Sequence, residues 1–203
     1  DGNYKPYVKY YLEGRTKQVS NYWDDIEGNK KASLTVKELL GKNVFTNPKP
    51  VGLIKKILHI ATDSDSVVLD FFSGSATTAH AVMELNSVDG GRRQHIQVQL
   101  PEPTPPDSAA EQAGYQTIAE VSRKRVDLAG TKILATKAGQ LDEGHGTLDV
   151  GFRAYTLSDT NFSKWRATSG VEANALEHHL LDHRDSSSAD DAAPDDPLTE
   201  ILL

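Results

Sequence analysis

Val67-Val68-Leu69-Asp70-Phe71-Phe72-Ser73-Gly74-Ser75-Ala76-Thr77-Thr78-Ala79 is the stretch that decides the fold. Val67 to Phe72 form a continuous apolar run of strand length, interrupted by one acid near its end. Such a run suits a central parallel strand buried on both faces. Ser73 to Thr78 then lead into a helix carrying Ala79, Val82, Met83 and Leu85. Upstream, Asn47-Pro48-Lys49-Pro50 precedes a helical pattern with Leu53, Ile54, Ile57, Leu58 and Ala61 on one face. Prolines suit a helix start, where a missing N–H is harmless. Asp63-Ser64-Asp65 makes the turn into the strand.

Downstream, Asp89-Gly90-Gly91 turns the chain into a second strand, His95–Leu100, followed by a proline-rich loop over Pro101–Pro106. A third helix is expected over Thr117–Ala129, with Ile118, Val121, Arg125 and Leu128 near one stripe. Ile133–Thr136 reads as a further strand, and Thr147–Leu157 as a later strand or hairpin. Residues 1–44 read as mostly loops, with a short helix near Val36–Leu40. The alternation of helix and strand predicts an α/β fold, a doubly wound sheet with right-handed crossovers.

Composition narrows the class. The chain has 203 residues, 37% of them hydrophobic, so a polar appendage should accompany the core. Without cysteine there is neither a disulfide framework nor a thiolate metal site, and a reducing cytoplasm is the expected compartment. No apolar run reaches the roughly 18 residues of a membrane span, and no signal-peptide pattern opens the chain. The opening on Asp1 and the apolar close, Ile201-Leu202-Leu203, read as cut ends. The net charge of −7 conceals a gradient. Residues 1–60 carry 11 Lys/Arg against 6 Asp/Glu, residues 61–160 carry 8 against 14, and residues 161–203 carry 3 against 9. The basic opening also holds Tyr4, Tyr7, Tyr10, Tyr11, Tyr22 and Trp23, a composition able to track a phosphate backbone or simply to form a solvated loop region. Residues 185–197 read as an acidic flexible stretch.

In an open parallel sheet, ligands bind beyond the carboxyl ends of the strands. The loop Phe72 to Thr77 occupies that position. Gly74 allows a close backbone approach, the N–H groups of the following helix can face a carboxylate or phosphate, and Asp70 can accept from an ammonium or hydroxyl. The same residues also fit a generic strand–helix turn with a capping Ser or Thr. The dinucleotide fingerprint is not met, because only one of its glycines is present.

Asn47-Pro48-Lys49-Pro50, a helix, and then Val68 to Ala79 resemble two adjacent motifs of the amino-type DNA methyltransferases. The likeness is strongest to the modification subunits of type III restriction systems. It extends through Asp24-Asp25-Ile26-Glu27-Gly28-Asn29-Lys30-Lys31, Gln99-Leu100-Pro101-Glu102-Pro103, Gly151-Phe152-Arg153 with Asn161-Phe162, and Asp196 to Leu203. The resemblance implies a Rossmann-like doubly wound sheet of the S-adenosylmethionine-dependent type, here incomplete. Residues 45–140 would be its cofactor-binding part, 1–44 the trailing edge of the target-recognition region, and 141–203 an α+β appendage.

By the same resemblance, Phe72, Ser73, Gly74, Ser75, Ala76 and Thr77 wrap the methionine portion of S-adenosylmethionine, and Asp70 and Phe71 belong to the same cofactor-binding set. Phe45, Thr46, Asn47, Lys49 and Pro50 close that pocket, with the lysine complementing the carboxylate. Gln99 stands where relatives carry an acid that binds the ribose hydroxyls; Glu102 is the alternative. Ala76 stands where relatives commonly have glycine, a substitution that costs roughly 1 kcal/mol if φ is positive there. The catalytic Asp/Asn/Ser-Pro-Pro-Tyr/Phe motif is absent, so no catalytic residue is expected in this chain and methylation by it alone is not. The whole enzyme would methylate adenine N6 of a flipped base in double-stranded DNA by in-line transfer. A second modification subunit and a helicase-nuclease restriction subunit are the implied partners. A non-catalytic DNA-binding or assembly segment of a restriction complex is the rival reading, and an unrelated nucleotide-binding α/β domain a third.

Three other groupings are weaker. His178, His179 and His183 crowd one stretch, but the zinc-protease pattern needs Glu where Leu180 stands, so a solvated polar face is expected. Ser73 and Ser75 beside His80 do not meet the Gly-x-Ser-x-Gly elbow. Arg123-Lys124-Arg125 reads as an exposed helix face that could meet DNA phosphate.

Overall fold

The computed structural model describes residues 18–138, 148–158 and His178. The chain divides into two compact units, Asp1–Phe152 and Arg153–Leu203. The first contains α1 (Asn29–Leu40), α2 (Val51–Ala61), β1 (Val67–Asp70), α3 (Thr77–Asp89), β2 (Gln94–Gln97), a single 3-10 turn (Glu111–Ala113) and α4 (Ile118–Ala138). In the second, residues 153–158 form neither helix nor strand. His179, His183 and the acidic stretch 185–197 lie outside the described residues.

α3 organises the first unit. Ala81, Val82 and Leu85 pack with Val51 and Leu58 of α2, with Ile54 and Val68 against them. Ala79 and Met83 join Ala76, Val126 and Ala129, supported by Leu39, Ile133 and Val150. The helix is therefore apolar on two sides, as a helix inside a core must be. A third cluster, Val36, Val44, Ala110 and Val121, seats α1 beside α4 with Phe45 and Tyr115 at its margin. Fully burying each such aliphatic side chain is worth about 1.5–3 kcal/mol.

β1 and β2 pair in parallel, Val67 opposite Gln94 through Asp70 opposite Gln97, with α3 as the crossover. This is an α/β arrangement, and among the described residues the sheet has two strands. The expectation of a strand buried on both faces is corrected. Val67, Leu69 and Ile96 share a face that is exposed, Leu69 at 58% and Ile96 at 52%, whereas Val68 on the other face packs toward α2 and α3. Among the described residues the helices pack on one side of the sheet only, so alternate residues of the run are open to solvent.

Three further expectations are corrected. α1 spans 12 residues rather than a short helix near Val36–Leu40, because Ala32 and Val36 bury at i, i+4 and Gly41 closes the helix in the left-handed region. Ile133–Thr136 is not a strand but the continuation of α4. Ile133 repeats the inward position of Ala129, and Gly130 lets Val150 approach to 3.0 Å from where a Cβ would stand. Residues 148–157 carry no strand or hairpin; Thr147 lies outside the described residues. α4 begins one residue later than expected, with Glu120 N–H donating to Thr117 Oγ1 (3.3 Å) and Glu120 Oε2 accepting from Gln116 N–H (2.7 Å).

Candidate functional site

The loop between β1 and α3 is held by a dense set of internal bonds. Asp70 Oδ1 accepts from Phe72 N–H (3.1 Å) and its Oδ2 from the Thr78 hydroxyl (2.6 Å). Ser73 N–H donates to Val98 O (3.1 Å), its hydroxyl to Gln97 Oε1 (3.0 Å), and Ala76 N–H closes back on Ser73 O (2.8 Å). Gly74 N–H donates to Gln99 Oε1 (2.7 Å), while Gln99 Nε2 donates to Glu102 Oε2 (3.2 Å). Gln99 and Glu102 are thus one bonded pair.

Gly74 and Ala76 both take positive φ, 53° and 58°. The left-handed position expected of Ala76 is therefore real, and it is the residue immediately before α3. Ala76 offers no side-chain cap. The N–H groups of Ser75, Thr77, Thr78 and Ala79 meet no acceptor among the described residues. Elsewhere Gly52 N–H at the start of α2 is satisfied by Glu27 Oε1 (2.8 Å) and Glu120 N–H near the start of α4 by Thr117. At α3 unpaired amides and the positive end of the helix dipole converge, which is chemistry suited to an anion.

The structure brings most of the expected residues together. The Phe45 ring lies 3.3 Å from where a Gly74 Cβ would be, and Lys49 O accepts from the Thr77 hydroxyl (3.4 Å). Lys49 is nevertheless exposed, as are Thr46 and Asn47, which make no hydrogen bond to the loop. Pro50 is buried and accepts from Ile54 N–H (3.4 Å), so its part is to start α2. Phe71 and Phe72 stand exposed with ring centroids 5.1 Å apart, Phe72 at 81%.

Arg125 departs from expectation. The sequence places it with Arg123 and Lys124 on an exposed face, yet it is 0% exposed, while its two neighbours are on the surface. Its Nη1 donates to Ser75 Oγ (2.6 Å), Thr77 Oγ1 (2.9 Å) and Ser75 O (3.2 Å). One turn earlier, Ser122 Oγ bonds Gly74 O. The signal was in the sequence: Arg125 falls in the stripe of Ile118, Val121 and Leu128. Burial draws the guanidinium down to about 10, against the attraction of Glu84, so it remains a cation at neutral pH.

Glu84 is itself engaged on α3. His80 Nε2 lies 3.1 Å and Lys55 Nζ 2.9 Å from its two oxygens. Burial alone would raise this carboxyl, but those hydrogen bonds and charges hold it at about 2. His80 is thus committed to Glu84 rather than to Ser73 or Ser75. Among the described residues no group of three or more His, Cys, Asp or Glu could hold a metal ion.

A family model described as DNA methylase matches residues 2–88. The chain is 41% identical over 151 residues to the Mod subunit of the type III restriction-modification enzyme StyLTI of Salmonella typhimurium, covering 74% of this chain and 22% of that protein. To the EcoPI Mod subunit of Escherichia phage P1 it is 42% identical over 169 residues, covering 82% and 24% respectively. To the type II methyltransferase M.KpnI of Klebsiella pneumoniae it is 32% identical over 123 residues, 60% of this chain and 30% of that protein. The chain therefore spans about a quarter of the length of the Mod subunits it matches. Residues 2–88 thus match the DNA methylase family, and over most of its length the chain is similar to the Mod subunits of type III restriction-modification enzymes.

Proposed function

We propose that the chain is the S-adenosylmethionine-binding part of a site-specific adenine-N6 DNA methyltransferase of a type III restriction-modification system. The observation that carries this reading is the start of α3, left without a side-chain cap and with the amides of Ser75, Thr77, Thr78 and Ala79 unpaired. A generic turn with a capping Ser or Thr would satisfy at least one of them. The donor set fits the methionine carboxylate, and the exposed Phe72 and the Gln99–Glu102 pair stand beside it for the remainder of the cofactor. When bound, the cofactor supplies an electrophilic methyl group to the exocyclic amine of a flipped adenine.

On this reading residues 45–140 are the cofactor-binding part of a doubly wound sheet, 1–44 trail the target-recognition region, and 141–203 are an appendage. The residues that hold the target amine belong to an Asp/Asn/Ser-Pro-Pro-Tyr/Phe element that this sequence does not contain, so this chain alone does not methylate. The whole enzyme acts on double-stranded DNA in the cytoplasm, paired with a second modification subunit and a helicase-nuclease restriction subunit. No helix of the described residues is long and apolar enough to cross a membrane.

Calorimetric titration of S-adenosylmethionine into the chain should give heat that Gly74→Trp abolishes. Absence of heat from the unmodified chain refutes the cofactor role. Nucleoside analysis of DNA modified by a full-length subunit should show N6-methyladenine; N4-methylcytosine refutes the adenine assignment.

A further inference from the structure

Arg125 presents an imbalance of charge. Its three acceptors, Ser75 O, Ser75 Oγ and Thr77 Oγ1, are all neutral, and its Nε and Nη2 are buried with no partner among the described residues. Among the described residues the acid acting on it, Glu84, already takes hydrogen bonds from Lys55 and His80. A buried cation without full compensation costs several kcal/mol, so such a group is kept where something else balances it. The side chain lies under the loop whose outer amides are unpaired, and its bonds reach the first residue of α3.

We propose that Arg125 is a positioning residue for the ligand's carboxylate: through Ser75 and Thr77 it fixes the unpaired amides in place, and its buried charge is the counter-charge of the anion they receive. The proposal rests on the cofactor reading above and assigns the electrostatic role to Arg125, whereas Lys49 is exposed and reaches the loop through its backbone carbonyl. Ser122, which bonds Gly74 O from the preceding turn of α4, is the second point of the same support.

The test compares two probes that differ only in the carboxylate, S-adenosylmethionine and decarboxylated S-adenosylmethionine, titrated into the full chain. The unmodified chain should favour the carboxylate form by about tenfold or more, the range of a hydrogen-bonded charge. Arg125→Met should weaken binding of S-adenosylmethionine and leave the decarboxylated probe nearly unchanged, erasing the preference. Arg125→Lys, which keeps the charge but not the fork, should retain the preference at lower overall affinity. If Arg125→Met does not fold, judged by its melting curve, the lysine variant and the unmodified chain still decide the matter. Equal losses for both probes mean that Arg125 only supports the loop, and overturn the proposal. So does an unmodified chain that binds both probes alike. Failure of the unmodified chain to bind either probe overturns the cofactor reading itself, and this proposal with it.

Discussion

At the scale of single residues, the loop enters the left-handed region at two positions, Gly74 and Ala76. Gly74 has φ +53° and an added Cβ would stand 3.3 Å from the Phe45 ring. Gly74→Ala should therefore lower stability by about 1–2 kcal/mol, the left-handed penalty plus a displaced ring, read from the midpoint of a denaturant titration. An unchanged midpoint would mean that the loop does not hold this conformation in solution. Ala76, at φ 58°, does carry the strain that glycine avoids, but its methyl is buried among Ala79, Met83, Val126 and Ala129. Strain of about 1 kcal/mol is offset there by roughly 0.8 kcal/mol of apolar burial, which explains how alanine is tolerated at a position suited to glycine. Gln99 shows a comparable substitution of means. Its amide accepts from Gly74 N–H with one end and donates to Glu102 with the other, tying the segment just after β2 to the loop without a charge of its own.

At the scale of elements, α3 couples the loop to the rest of the core, and its acid dependence can be predicted. Glu84 is held at about 2 against an ordinary value of 4.5 by its bonds to His80 and Lys55. A carboxyl depressed on folding contributes stability that is fully present above the unfolded value and is lost as pH falls through the folded one. The melting temperature should thus decline between pH 4.5 and about 2, and Glu84→Gln should flatten that part of the curve. An identical acid limb in both chains would remove Glu84 from the account. The elements themselves were legible to differing degrees. α2, β1, α3 and β2 announce themselves because apolar spacing and turn residues agree locally: Pro50 before α2, Asp63 to Asp65 before β1, Gly90 after α3. The C-terminal half of α4 did not, since Ile133-Leu134-Ala135-Thr136 is as good a strand as a helix until Ala129, Met83 and Val150 fix which face turns inward. Arg125 was hidden by chemistry rather than by spacing. A cation in an apolar stripe reads as surface unless the acceptors it will meet, some fifty positions earlier, are known.

At the scale of the whole molecule, one sheet face among the described residues departs from a closed core. Val67, Leu69 and Ile96 present their side chains to solvent along one surface of β1 and β2. A solvatochromic apolar dye should bind the chain, and the double change Leu69→Thr with Ile96→Thr should dim it while the melting midpoint moves little. Undiminished dye fluorescence would place the accessible apolar surface elsewhere. The support of the loop from α4 carries a consequence for how the molecule is made. Ser75 and Arg125 are 50 positions apart. At a synthesis rate of roughly 5–20 residues per second, the ribosome delivers Arg125 about 3–10 s after the loop it must hold. During that interval every atom of the loop exists but its underpinning does not. Under the proposed cofactor role, ligand competence is thus a property the nascent chain acquires late, when α4 arrives.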